Sequence, residues 1–203
     1  MAEQTSLRFK STWGGARPGA GRPKGSRTSE RMPHTRRPRV SRHRPHHVTV
    51  RVVRGTFNLR SQRCYAPIRG ALNAVTRREG VRVVQFSVQH DHLHLVIEAD
   101  GRRALSSAMR SLLVRIARGL NAVMKVRGRR IDDRYHEHIL KTPNEARNAF
   151  RYVLCNRDVH MDRWGKLHLA GGVDPFCSLA PSPEPLVRPP ESWLLTRGFL
   201  RSS

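Results

Sequence analysis

Residues 81–99 read VRVVQFSVQHDHLHLVIEA, and their pattern indicates the type of fold. It contains two segments, 81–88 and 92–99, in which residues alternate between two faces with the period of two that is typical of β-strands. The short polar stretch 89–91 separates them, so the sequence predicts a β-hairpin. The residues predicted to face the core are Val84, Phe86 and Val88 in the first strand and Leu93, Leu95 and Ile97 in the second.

Periodic segments on both sides of the hairpin extend the fold. Thr142, Pro143 and Glu145 have the residue types of an N-cap, a first helical position and a capping box, so a last helix is predicted to begin there. The other predicted elements are a strand at 48–53, a helix at 64–79, an amphipathic helix at 104–123 and a strand at 131–140. The order β-α-β-β-α-β predicts an α+β fold with a ferredoxin-like antiparallel sheet and one added C-terminal helix.

The chain is strongly basic. Its 39 Lys and Arg residues against 15 Asp and Glu residues give a net charge of +24, which predicts a polyanionic partner, with nucleic acid the first candidate. No run of 18 apolar residues and no apolar N-terminal segment occurs, so the sequence predicts a cytoplasmic protein without a membrane partner. The three cysteines are widely spaced, which argues against disulfides and a cysteine zinc site.

The positive charge is concentrated in a predicted disordered arm, residues 1–45, which holds twelve Lys or Arg and two Glu. Within it, GGARPGAGRPKGSR (14–27) resembles an AT-hook, a segment that lies in the narrow minor groove of A·T-rich DNA. An arm that only attracts phosphates is the alternative. The candidate DNA-binding residues are Arg17, Arg22, Lys24 and Arg27.

Two histidines in the second strand of the hairpin are candidate metal ligands. His92 and His94 point to the face opposite Leu93, and two imidazoles so placed can chelate one divalent ion. The alternative is a pair of ordinary polar residues on a solvated face. A second pair, His136 and His138, shows that the pattern arises easily in this chain. Spacing alone therefore does not decide between a metal site and ordinary polar residues.

The last helix carries a tyrosine away from its apolar stripe. Tyr152 lies about 160° around the helix from Phe150, which belongs to that stripe. Asn156, four residues on, shares the face of Tyr152, so both side chains could reach a metal on the strand. A surface tyrosine with a buried ring and a solvated hydroxyl is the alternative.

These two motifs resemble those of a known family. A strand with His-Leu-His (92–94) and a later helix with Tyr-x-x-x-Asn (152–156) are similar to the single-tyrosine HUH transposases, and especially to the REP-associated tyrosine transposases. The phrase DRYHEHILKTPNEARNAFRYVLCNRDVH (133–160) and the GAGRPKG arm are similar to bacterial members. The resemblance covers about residues 46–160, and it leaves an irregular Pro-rich tail at 161–203, in which 192–200 could dock.

The resemblance implies a reaction and the residues that carry it out. It makes His92, His94 and Asn156 the ligands of a catalytic Mg²⁺ or Mn²⁺ and Tyr152 the nucleophile that nicks single-stranded DNA. The products are a 5′-phosphotyrosine link and a free 3′-OH, and reversal of the attack joins strands. One departure is Asp91, where many REP-associated members have Asn.

The partners implied are single-stranded or hairpin DNA, with nonspecific duplex contact by the arm, in the bacterial nucleoid. The chain would be a monomer or a homodimer. The alternative function is a non-catalytic basic nucleic-acid-binding protein, either a domesticated transposase or a ribosome- or nucleoid-associated protein. An RNA-binding sheet would need exposed aromatic residues, and the hairpin offers only Phe86, on a core position. Tyr135 is the one plausible rival to Tyr152.

Overall fold

The computed structural model describes residues 37–163 and 173–201, with side chains described to residue 154 in the first range. The candidate DNA-binding residues Arg17, Arg22, Lys24 and Arg27 lie outside these residues. The main elements are β1 (His46–Arg51), α1 (Gln62–Thr76), β2 (Val81–Val88), β3 (His92–Ala99), α2 (Arg102–Met124), β4 (His136–Ile139), α3 (Pro143–Arg163) and α4 (Trp193–Thr196). The order from β1 to α3 is the one that the sequence predicts.

The four strands form one antiparallel sheet in the order β2-β3-β1-β4. This order confirms the predicted ferredoxin-like α+β fold. The hairpin between β2 and β3 closes where the amide of Gln89 donates to the carbonyl of His92 over 2.8 Å. The last strand is shorter than predicted, because residue 131 makes only an isolated bridge to Val52.

One prediction for β2 is wrong. The pairing of β2 with β3 shifts between Val83 and Gln85, as in a β-bulge. The extra residue changes the phase of the alternation, so Val83 and Phe86 both enter the main core although they are three residues apart. Val84 therefore does not share a face with Phe86 and packs beside Val96 on the opposite side.

The sheet is covered on both faces. On one face, α1 and α2 pack over a core whose largest fully buried side chains include Phe86, Leu93, Leu95, Leu112 and Ile116. On the other face, α3 and α4 enclose a second core that includes Val96, Leu140, Ala146, Val153, Leu194 and Leu195. The helix that carries Tyr152 and the strand that carries His94 therefore meet on the second face.

The C-terminal segment follows the free edge of β2. The amide of Val88 donates to the carbonyl of Phe176, and the amide of Arg188 donates to the carbonyl of Val83. Glu98, which is 2% exposed, then accepts hydrogen bonds from the backbone amides of Glu191 and Ser192 at 2.8 and 2.9 Å. These bonds place α4 against α3, in the region where the sequence suggested docking.

Residues 37–45 lead into β1 and contact the folded domain. The guanidinium of Arg37 donates to Glu137 over 2.6 Å and lies 3.7 Å from the centroid of the Tyr135 ring. The carbonyl of Pro45 accepts from the amide of Leu140. No helix within the described ranges is long and apolar enough to cross a membrane.

Candidate active site

The register of the sheet gathers polar side chains on the face toward α3. His94 on β3 lies opposite Thr49 on β1, and His47 lies two residues before Thr49 on the same face. His92 and His94 are only 8% and 3% exposed, and their rings are 4.7 Å apart between centroids. The two histidines are therefore buried side by side. This burial does not agree with the alternative that they are ordinary polar residues on a solvated face.

His92 is oriented by its neighbour in sequence. The Nδ1 atom of His92 lies 2.6 Å from Oδ1 of Asp91. Burial is the largest effect and alone would raise the pKa of Asp91, but its interactions with His92, led by the hydrogen bond, outweigh burial and lower this pKa. An ionised carboxylate on Nδ1 is the usual support of a metal-binding histidine, whose ligand atom is then Nε2.

His94 is oriented by two residues of β1. Its Nδ1 lies 3.2 Å from Nε2 of His47 and 3.1 Å from Oγ1 of Thr49. The pKa of His47 is lowered to about 4, first by burial and then by the charges of His138 and His136, so His47 is neutral at pH 7. His47 and Thr49 were not among the site residues predicted from the sequence. Their signal was the alternation of HHVTVR, which places both opposite the core residues of β1.

The start of α3 is fixed by the predicted capping box. Oγ1 of Thr142 accepts from the amide of Glu145 over 3.2 Å, and Oε2 of Glu145 accepts from the amide of Thr142 over 3.1 Å. Val153 is fully buried against the sheet, whereas the adjacent Tyr152 is 45% exposed. The helix therefore presents Tyr152 beside the sheet face and not within the core.

Tyr152 meets the histidines through ring edges. Its ring centroid lies 4.9 Å from that of His94 and 5.7 Å from that of His47, and both ring pairs are close to perpendicular. The structure thus brings together three of the predicted site residues, His92, His94 and Tyr152. The backbone of Asn156 lies one turn further along α3, and its side chain is outside the described residues.

The rival tyrosine lies on the other face of the sheet. Tyr135 packs beside the main core beneath the guanidinium of Arg37. Burial is the largest effect on its hydroxyl and raises the pKa of Tyr135. A deprotonated, attacking phenol is thus disfavoured at this position.

The second histidine pair lies close to the first site without joining it. In the pairing of β1 with β4, His136 lies opposite Thr49 and His138 lies opposite His47. His138 also approaches Glu145, with 3.4 Å between Nε2 and Oε1. Among the residues whose side chains are described, no group of three or more His, Cys, Asp or Glu is placed to hold a metal ion.

The chain was then compared with known proteins. Residues 39–137 match the family described as "Transposase IS200 like". The match spans 99 of the 203 residues, so this part of the chain is similar to that family. A solved structure of a REP-associated tyrosine transposase bound to a REP hairpin is similar in fold to this chain, with a TM-score of 0.51 at 21% sequence identity. The match covers 64% of this chain and 74% of that one. No curated protein matches the chain.

The family match has a definite extent along the chain. It includes His92 and His94 and ends at Glu137, before the helix that carries Tyr152 and Asn156. The helix that carries the tyrosine therefore lies outside the family match.

Proposed function

We propose that this chain is an IS200-like transposase, a nickase and strand transferase that acts on single-stranded DNA through Tyr152. The observation that carries the proposal is the contact of the Tyr152 ring with that of His94, which lies beside His92. A partly exposed phenol next to two buried, oriented imidazoles is the arrangement that a tyrosine nucleophile and a metal site need.

The residues present fit a divalent metal. His92 and His94 have their Nδ1 atoms engaged by Asp91 and by β1, which favours Nε2 as the ligand atom in both rings. With the side-chain oxygen of Asn156 they would form a mixed nitrogen and oxygen site suited to Mn²⁺ or Mg²⁺. Such an ion, when bound, would polarise the scissile phosphate and stabilise the charge that develops on it.

The proposed reaction exchanges one bond at phosphorus. The phenolic oxygen of Tyr152 forms a bond to the phosphorus, and the bond from phosphorus to the 3′ oxygen breaks. The DNA is left with a 5′-phosphotyrosine link and a free 3′-OH, and the reverse attack by a 3′-OH rejoins strands. Because a protonated phenol is a weak nucleophile, this attack needs an activated phosphate.

The partner in this proposal is single-stranded or hairpin DNA. The structural relative is bound to a hairpin, and the charge of +24 of this chain favours a nucleic acid, including the DNA of the nucleoid. Arg17, Arg22, Lys24 and Arg27 of the arm would add contacts to duplex DNA. A non-catalytic RNA-binding sheet is disfavoured, because Phe86 is fully buried and α3 covers the other face.

The proposal is tested by trapping the covalent intermediate. Incubation with hairpin-containing single-stranded oligonucleotides and Mn²⁺ should yield a protein–DNA adduct that survives denaturation. Tyr152→Phe removes only the attacking oxygen, so it should keep the fold and DNA binding and lose the adduct completely. Tyr135→Phe is the matched control and should form the adduct. An adduct that survives Tyr152→Phe and disappears in Tyr135→Phe would contradict the proposal.

A further inference from the structure

A groove runs between α1 and α2, on the face of the sheet opposite Tyr152. Its volume is about 800 Å³, and its lining includes small residues, Gly70 from α1 and Ser107 and Ser111 from α2. The two helices touch closely at one point, where a Cβ on Gly119 would lie 2.3 Å from Cβ of Pro67. Since only glycine permits this approach, the spacing of the helices that form the groove is fixed.

The groove is lined by arginines without acidic neighbours in the two helices. Together α1 and α2 contain no Asp or Glu, and their arginines are Arg63, Arg69, Arg102, Arg103, Arg110, Arg115 and Arg118. Arg102 pairs with Glu137 on the far side of α2. Four arginines line the groove, Arg78, Arg110, Arg115 and Arg118.

The charge of the groove is not neutralised within the protein. In the described part of the chain, no ion pair joins Arg110, Arg115 or Arg118 to an acid, and all three are exposed. Arg78, two residues beyond the end of α1, donates to Oγ of Ser107 on α2 over 2.7 Å and so bridges the two sides of the groove. Guanidinium groups without acidic partners, beside small residues, form a surface complementary to a phosphate chain.

The dimensions of the groove suit several successive phosphates. From Ser107 to Arg118 the helix rises about 16 Å at 1.5 Å per residue. Because ~3.4 Å is the rise per phosphate along the duplex axis and successive phosphates of one strand lie farther apart than this, the length admits fewer than about five successive phosphates. The groove has no aromatic lining residue, whereas grooves for single strands rely on aromatic side chains that stack on bases.

We propose that this groove binds the phosphate backbone of duplex DNA, as a second DNA site on the face opposite Tyr152. The chain would then hold duplex DNA on its helical layer while a single strand reacts at the other face. Binding at the groove needs neither the metal nor the phenol. A failure of the chemistry proposed for Tyr152 would therefore leave this inference unaffected.

The test compares two triple variants of the full chain. Arg110→Gln, Arg115→Gln and Arg118→Gln remove the groove charges, and Arg54→Gln, Arg77→Gln and Arg127→Gln remove three exposed charges elsewhere. Affinity for a blunt duplex without a hairpin is measured over a range of salt concentrations. The slope of log K against log salt should fall by about three for the groove variant, at ~0.9 per lost phosphate contact.

The results distinguish duplex binding at the groove from general attraction of DNA to a basic protein. The control variant should change the slope by less than one, and the groove variant should form the adduct on a short single strand at the wild-type rate. Equal slopes for wild type and groove variant, or equal losses in the two triple variants, would overturn the inference. An equal loss of affinity for an unstructured single strand would also overturn it, since the groove would not then prefer duplex. Duplex binding that survives Tyr152→Phe supports it even if wild type forms no adduct.

Discussion

The imidazole of His94 on β3 meets the phenol ring of Tyr152 on α3 edge-on, with 4.9 Å between the ring centroids. This contact joins an element of the central sheet to the helix added after it. It depends on Val153, which is fully buried in the core between α3 and the sheet. The contact therefore couples the orientation of the proposed nucleophile to that of a proposed metal ligand.

Our first prediction separates the two histidine pairs. His92→Ala or His94→Ala should abolish Mn²⁺ binding and adduct formation, because each removes a proposed metal ligand. His136→Ala is the matched control from the same face of the sheet, and it should retain both. Titration calorimetry with Mn²⁺ measures the binding directly. Loss of binding in His136→Ala while His92→Ala keeps it would show that the ligands are assigned wrongly.

The second prediction concerns the hydroxyl that supports His94. Thr49→Val keeps the shape of the side chain and removes the group that lies 3.1 Å from Nδ1 of His94. Loss of such a support lowers metal affinity or activity by about 10- to 100-fold. Thr56→Val is the control, because its hydroxyl donates to the carbonyl of Val53 in a loop. Unchanged Mn²⁺ affinity in Thr49→Val would exclude this role for Thr49.

The features that the sequence predicted correctly depend on residues close in sequence. The alternation in 92–99 predicts β3, and the polar stretch 89–91 predicts its hairpin with β2. Thr142 and Glu145 predict the capping box that begins α3. In each case the residues that form the sequence pattern also form the hydrogen bonds of the element. Rules that consider only neighbouring residues are therefore sufficient to predict it.

The features that were missed depend on pairing between distant strands. The contacts of His47 and Thr49 with His94 require the register of β1 against β3, which the sequence of either strand alone does not specify. The bulge that turns Val84 away from Phe86 also arises from pairing. Pairing of the C-terminal segment with β2 involves only a few backbone hydrogen bonds in an irregular stretch. No periodic pattern in the sequence therefore predicts this pairing.

The third prediction concerns the basic arm. Deletion of 1–36 should weaken DNA binding and flatten its salt dependence, because fewer counterions are released. The deletion should stop there, since Arg37 contacts both Glu137 and Tyr135. Deletion of the whole predicted arm, 1–45, is the comparison and should also lower the melting temperature. Affinity that is unchanged at every salt concentration in the shorter deletion would rule out a DNA-binding arm.

The fourth prediction follows from a buried carboxylate. Glu137, whose side chain is 3% exposed, accepts from Arg37 at 2.6 Å and from Arg102 at 2.9 Å, and lies 3.0 Å from Nδ1 of His46. Burial alone would raise the pKa of Glu137, but the hydrogen bonds from His46, Arg102 and Arg37 outweigh it and lower this pKa far below its ordinary range. The ionised form is therefore strongly favoured in the folded protein.

A depressed pKa stabilises the fold above the ordinary pKa of the unfolded carboxyl, about 4.3, and this stability is lost as the pH falls toward the folded value. Glu137→Gln should therefore lower the free energy of unfolding by about 3–5 kcal/mol at pH 7, as expected when one partner of a buried ion cluster is removed. The difference from wild type should shrink steadily below pH 5 in denaturant titrations. The exposed control Glu79→Gln should change stability by less than about 0.5 kcal/mol. A difference for Glu137→Gln that is constant from pH 7 to pH 3 would contradict the linkage.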